Sequence, residues 1–456
     1  MIIGYQHPNR AFWHKRYHKC DYELSQKPCT RFWVTIPQRP NHLSAHYKNS
    51  RNCAILRLVS PSRSLRMLDS TPQVGLLGSL GFGITAIIGM LLGRWVFPIG
   101  ELGRSPQIGL DLIRWDANAY LQIAEHGYRF TPQHLISGDN IAYFPGYPLL
   151  EKMLLLIPHL PLPLLAVGPA LFAGFISIFA FAALARQVLL PRAALWATLG
   201  FALYPGASFM LGGYPTTILN LFAIMTLWRL WERRYWQAAL WSAGGTLFGP
   251  MAVVVALAIP LSRCLPRPPL ELKRIAPICI QFLVGIGGLL VFVAYQMVVF
   301  HNPLAFVIAQ NHWGSASTLM RLWRAVTLYP LTTYYGHPWI GPPGHPPLFE
   351  FVVYLQCLAS IVALGLIVWL ALITYRHLPL WLFIIGLLLP LTYYWSIGTV
   401  SGPVNGFRLL FIDIPAFLGI GFLYWRRPPL TITMVCLWGF LLAVEIALSL
   451  AGYMVV

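Results

Sequence analysis

After residue 70, apolar runs close to 20 residues long recur along the chain, and no other feature constrains its fold as strongly. A helix rising 1.5 Å per residue needs about 20 such residues to cross the hydrocarbon core of a bilayer. The runs are continuous and lack the in–out alternation of barrel strands, so the expected spans are helices. Only 10% of the 456 residues are charged, against roughly 25% in soluble globular proteins. An ordinary soluble fold is excluded, and the sequence predicts an all-α polytopic membrane protein with about nine to eleven spans.

The runs place spans at 72–98, 162–188, 191–211, 214–231, 275–300, 348–375, 378–398, 407–425 and 431–455. Residues 143–160 form a Pro-flanked apolar stretch too short for a comfortable crossing. The run 236–262 is broken at Gly244–Pro250 and carries arginines at both ends, which predicts a re-entrant hairpin or two short helices.

The formal charge of +18 is distributed as a membrane topology signal. With the N-terminus inside, inside segments hold 24 Lys/Arg against five Asp/Glu, and outside segments hold eight of each. That asymmetry follows the positive-inside rule, so nucleic acid is not an expected partner. Residues 1–70 are basic, aperiodic and without a signal-peptide core, and read as a disordered cytoplasmic tail near anionic lipid. Met67 is a plausible alternative start. The seven cysteines show no C-x-x-C spacing, and neither a disulfide framework nor a zinc site is expected.

Six of the 14 acidic residues fall between 101 and 151, in the first outside loop at 99–161. Within it, 109–130 reads as one interfacial helix. Leu110, Ile113, Ala117, Tyr120, Leu121 and Ala124 form its apolar stripe, with Asp111, Asn118, Gln122 and Glu125 on a polar face. Asp116 projects away from that face toward the edge of the stripe. A carboxylate held against apolar surface is desolvated, which raises its proton affinity and suits a general base. Two other readings stay open: Asp116 caps a helix starting at Ala117, or it pairs with Arg114. The alternating aromatics and prolines of 140–150, NIAYFPGYPLL, suit either an amphipathic sugar–lipid ligand or an interfacial aromatic belt.

The segment RWDANAYLQIAEHGYRF followed by AYFPGYPLL resembles the signature of the PIG-V-type mannosyltransferases. The likeness rests on Arg114, Trp115, Asp116, Tyr120, Ile123, Ala124, Gly127, Tyr128, Ala142, Phe144, Pro145, Tyr147 and Pro148. NPLAFVIAQNHW at 302–313, with Gln310 and Trp313, is a second match, and LYPGASFMLGGY at 203–214 a weaker third. The resemblance implies a GT-C-like transmembrane bundle that moves a hexose, usually mannose, from a polyprenyl-phosphate carrier to a lipid or glycan acceptor outside the cytoplasm. It implies Asp116 as the catalytic base of an inverting reaction. Arg114, Arg408 and the pair Arg321/Arg324 are candidates, in that order, to steady the departing phosphate; Trp115, Tyr120, Tyr128, Phe144, Tyr147, Gln310 and Trp313 are candidate substrate contacts. No metal is assigned. The GHP repeats bearing His337 and His345 read as a rigid turn-rich lid.

Two departures from the family pattern stand out. Tyr214-Pro215-Thr216 replaces Y-S-E, and Thr246-Leu247-Phe248-Gly249-Pro250 replaces T-R-x-x-G. They leave open a catalytically altered member; a lipid-linked sugar transporter or flippase is the further alternative. The absence of N-x-Ser/Thr sequons points to a bacterial inner membrane.

Overall fold

The computed structural model describes residues 70–97, 108–114, 116–131, 139–265, 272–312, 347–397 and 406–452. All lie in the unit formed by residues 61–456. The basic tail before Ser70, Trp115, Trp313, Arg321, Arg324 and both GHP repeats lie outside the described residues.

Every described element is helical, and the expected apolar runs reappear as helices, whole or divided. Helix α1 (Thr71–Trp95) takes the first run. The first outside loop holds the short turn α2 (Ile108–Asp111), then α3 (Asp116–His126) and α4 (Gly146–Leu154). Helix α5 (Leu162–Val188) fills its run from end to end. The next run divides into α6 (Pro191–Ala202) and a 3-10 turn at Pro205–Met210. Helix α7 (Thr216–Trp231) follows.

The run 236–262 is broken where expected, giving α8 (Tyr235–Thr246), α9 (Met251–Ala256) and α10 (Ala258–Cys264). Run 275–300 becomes α11 (Leu272–Gly285) and α12 (Gly287–Phe300), bent by 61° at Ile286. Helix α13 (Ala305–His312) precedes the long α14 (Pro347–Thr374) and α15 (Leu380–Ile397). The chain closes with α16 (Gly406–Leu410), α17 (Ile414–Arg426) and α18 (Pro428–Ala451). Among the described residues, α1, α5 and α18 are each long and apolar enough to cross a bilayer, and the bent pair α11–α12 would make a fourth. The protein is a multi-pass helical membrane protein.

Helix α1 shows how a segment apolar on all sides sorts its faces. Leu76, Leu80, Ile84, Ile87 and Leu91 form an exposed stripe suited to lipid, while Val74, Gly78, Phe82, Ala86, Gly89 and Gly93 face the bundle. Ser70 caps its start, its hydroxyl accepting from the Gln73 amide. The centre of the bundle is aromatic: Phe201 stacks on Phe181 and Phe411 at 4.8 Å each and meets Phe417 edge-on. Tyr204 closes the cluster against Trp438.

Gly89 and Gly93, one turn apart on α1, set how closely α18 approaches. A Cβ on Gly93 would stand 2.6 Å from the Ala447 carbonyl oxygen, and one on Gly89 2.7 Å from that of Ala443. Small residues at such spacing let membrane helices meet backbone to backbone. Gly93→Leu is therefore expected to force the two helices apart and destabilise the purified protein by about 1–3 kcal/mol. Thermal unfolding in detergent checks this; an unchanged midpoint would contradict the close contact.

Candidate active site

The stretch expected as one interfacial helix is two. It breaks at 112–114 after α2, so Asp116 opens a helix and does not sit along the edge of a continuous stripe. The expected placement of Asp116 at the stripe's edge does not hold, because the helix carrying it begins at Asp116 itself. Within α3 itself the faces fall as expected: Ala117, Tyr120, Leu121 and Ala124 are buried, and Asn118, Gln122 and Glu125 are exposed. Asp111 leaves the polar face altogether; it is buried and forms an ion pair with Arg114. That pairing removes the open reading in which Arg114 neutralises Asp116.

The partner of Asp116 is Arg408, from α16. Its Nη1 donates to Asp116 Oδ2 at 2.8 Å, while the Tyr143 hydroxyl donates to Oδ1 at 3.2 Å. The Asp116 side chain stays 34% exposed and that of Arg408 14% exposed. The carboxylate thus lies at a rim, with both oxygens engaged and one flank open. Arg408 is itself fixed on several sides. Its Nε donates to Thr216 Oγ1 at 3.1 Å, and its guanidinium lies over the rings of Tyr214 at 4.7 Å and Phe209 at 5.6 Å. Burial, and then the Asp116 charge, push the Tyr143 phenol well above its ordinary range, so it acts as a donor.

Local sequence explains how these groups meet. Gly206, in the LYPGASF stretch, lets α16 come close, because a Cβ there would stand 2.2 Å from the Phe407 carbonyl oxygen. The 3-10 turn it belongs to carries Phe209 beneath the guanidinium, and Tyr214 follows from the same loop. Tyr214 also donates to the Arg114 carbonyl at 3.3 Å, tying this loop to the start of α3. A small cleft of about 30 Å³ borders Phe209 and Tyr214, the rings under the guanidinium, and is lined also by Leu112, Arg114, Ile446 and Ser449.

The other candidate contacts serve to hold the carboxylate's surroundings. Tyr120 is buried between Tyr143 and Tyr147 and faces Arg408. Tyr147 is fully buried and donates to the Ala166 carbonyl at 2.6 Å. Tyr128 donates to the Tyr143 carbonyl at 2.9 Å. Phe144 packs against Phe292 and Phe306, and Gln310 Nε2 donates to the Ala142 carbonyl at 3.3 Å. Residues 305–310 of that second motif therefore buttress the 140–150 segment.

At the first departure, the Thr216 hydroxyl takes a bond from Arg408 where the family pattern has an acid. At the second, Phe248 stacks on Phe222, and the neighbouring Leu247 carbonyl accepts from the Gly146 amide at 2.8 Å, seating α4. The sequence did not reveal Tyr143, Tyr214 and Thr216 as partners of the pair. Tyr143 lies within an aromatic run that had been marked, but nothing local joins Asp116 to residues 214, 216 and 408.

Glu151 was also missed. It lies on the buried face of α4 with Tyr147, fully inaccessible, and neither carboxyl oxygen has a hydrogen-bond partner among the described residues.

A multi-pass helical membrane protein with a carboxylate–guanidinium pair held by aromatics at a half-open rim is the class these observations define. The match to known proteins is more particular. Residues 107–300 match the family model described as Mannosyltransferase (PIG-V). GPI alpha-1,6-mannosyltransferase 2 of Rattus norvegicus is 34% identical over 142 residues, covering 28% of this chain and 27% of the relative. The Homo sapiens protein of the same name is 32% identical over 148 residues, covering 30% and 28%. The chain thus spans little more than a quarter of the length of the curated relatives it matches. Among solved structures, an Archaeoglobus fulgidus oligosaccharyltransferase aligns over 82% of this chain and 53% of its own, at 12% identity and a TM-score of 0.38.

The environment of Glu151 has a measurable consequence. Burial first, and then the Glu125 carboxylate, push it up from 4.5 to about 9. The folded protein then holds a proton that the unfolded chain has lost, so this group's contribution to stability falls as pH rises from 4.5 to about 9. Glu151→Gln is expected to remove that slope, so that the variant's melting temperature gains steadily on wild type across the interval. Parallel curves would contradict the assignment.

Proposed function

We propose that the protein is a membrane glycosyltransferase of the GT-C type. It moves a hexose, mannose by family, from a polyprenyl-phosphate carrier to a hydroxyl of a lipid or glycan acceptor, with inversion. The observation carrying this reading is the placement of Asp116 at a half-open rim, bonded to a buried cation and a phenol. Asp116 takes the proton of the acceptor hydroxyl at a carboxylate oxygen, with the Tyr143 bond the one that yields. The acceptor oxygen attacks the anomeric carbon, the bond to the carrier phosphate breaks, and its electron pair leaves with the phosphate. Phosphate departs without a protonating acid.

Arg408 is the cation for that leaving group. A guanidinium has five N–H donors. Asp116 and Thr216 take two, and Tyr120 faces the same head, which leaves donors for a phosphate oxygen. Holding such a charge in place before the reaction is what makes it effective. The charge count between loops supports an outer or lumenal face for the site and an inner face for the N-terminus.

The test uses reconstituted protein with radiolabelled polyprenyl-phosphate mannose. Asp116→Asn is expected to lower turnover by about 10²–10⁴-fold, and Arg408→Gln to raise the KM for the donor while also lowering turnover. Product formed by Asp116→Asn at the wild-type rate would remove Asp116 from the mechanism. Label crossing the bilayer with no new product would favour a transporter instead.

A further inference from the structure

At the end of the bundle away from Asp116, an open pocket of about 520 Å³ is lined by Arg233, Arg234, Arg263, Tyr235, Trp236 and Gln281. Helix α7 gives the separation. It starts at Thr216, which Arg408 contacts, and its 16 residues span about 24 Å at 1.5 Å per residue before the turn that holds Arg233.

Two of these arginines are placed in ways that the fold alone does not require. Arg233 has a φ of +62° at the stop of α7, where its amide bonds to the Leu230 carbonyl at 2.9 Å and that of Arg234 to Arg229 at 2.8 Å. Such a helix stop favours glycine or asparagine, yet the position carries a long exposed cation. Arg263 is held rigid: Nη1 donates to Gln281 Oε1 at 2.7 Å, and the guanidinium lies 4.8 Å from the Tyr235 ring centre. The nearby acid, Glu232, is bound by Arg229 at 2.7 Å, with Arg234 Nε at 3.4 Å. Arg233 and Arg263 have no carboxylate partner among the described residues.

The apolar surroundings specify what kind of anion fits. Trp236 and Leu240 are exposed one turn apart on α8, and Ile280 and Leu283 are exposed on α11, which packs against α8. Apolar surface therefore runs from the pocket along the flank of the bundle.

We propose that this pocket binds the phosphate of an anionic glycerophospholipid, with Arg233 and Arg263 on the headgroup and the acyl chains along Leu240, Ile280 and Leu283. Guanidinium donors match phosphate oxygens, and basic pockets between membrane helices suit anionic headgroups. Free inorganic phosphate shares the head chemistry but has nothing to place on the apolar flank. The proposal is independent of the reaction proposed above.

The test is binding of fluorescent phosphatidylglycerol to the purified full-length protein in mixed micelles, with phosphatidylcholine and inorganic phosphate as competitors. The double variant Arg233→Gly, Arg263→Gln is expected to bind about 30-fold more weakly, the loss of two surface cations. Arg233→Gly alone, which suits the backbone at that stop, should also weaken binding. Arg192→Gln, an equal charge loss at the start of α6, should leave it unchanged. Neither competitor should displace the probe at concentrations where unlabelled phosphatidylglycerol does. Wild-type binding by both pocket variants, equal weakening by Arg192→Gln, or displacement by inorganic phosphate as effective as by phosphatidylglycerol would each overturn the proposal.

Discussion

Asp116 and Arg408 are 292 residues apart in the chain and 2.8 Å apart in the structure. Around that ion pair, the first outside loop, the 203–214 loop and α16 share one set of partners. The guanidinium is bonded to the carboxylate and to Thr216 and lies across Tyr214 and Phe209, so four residues from two distant stretches, 116 and 209–216, converge on one side chain. Charges partly removed from water remain stable only when they are paired and their remaining donors are satisfied. The aromatic packing beneath the pair meets that requirement while leaving one flank of Asp116 exposed.

Helical runs are legible because a bilayer imposes their length and apolar character. The bounds of α5 and the break between α8 and α9 both follow from sequence. The difference is local: 109–130 reads as continuous because an amphipathic pattern persists across the break at 112–114, and Asp116 opens α3 and meets Arg408. Asp116 and the aromatics of 140–150 stood out as chemistry in a short loop. Arg408 stands out too, as a candidate cation, but its pairing with Asp116 does not, since Tyr214, Thr216 and Arg408 meet Asp116 only through tertiary packing. Glu151 was invisible for the opposite reason, a carboxyl in an acidic loop reading as ordinary solvation until its burial is seen.

The two ends of the bundle differ in their chemistry. At one, a single cation is shared between a carboxylate and a threonine hydroxyl over the rings of Tyr214 and Phe209. At the other, arginines border a wide pocket flanked by exposed apolar side chains. The Thr216 hydroxyl accepts the Arg408 bond, so the guanidinium has a neutral anchor there while its charge goes to Asp116.

The central claim is that Asp116 and Arg408 act as one unit. A double-mutant cycle on thermal stability, comparing Asp116→Asn, Arg408→Gln and the double variant with wild type in one detergent, tests it most directly. Coupled groups show interaction energies of about 0.5–3 kcal/mol, and the pair is expected to fall in that range, the double variant losing clearly less than the sum of the singles. Strict additivity would show that the two side chains do not depend on each other and would contradict the account.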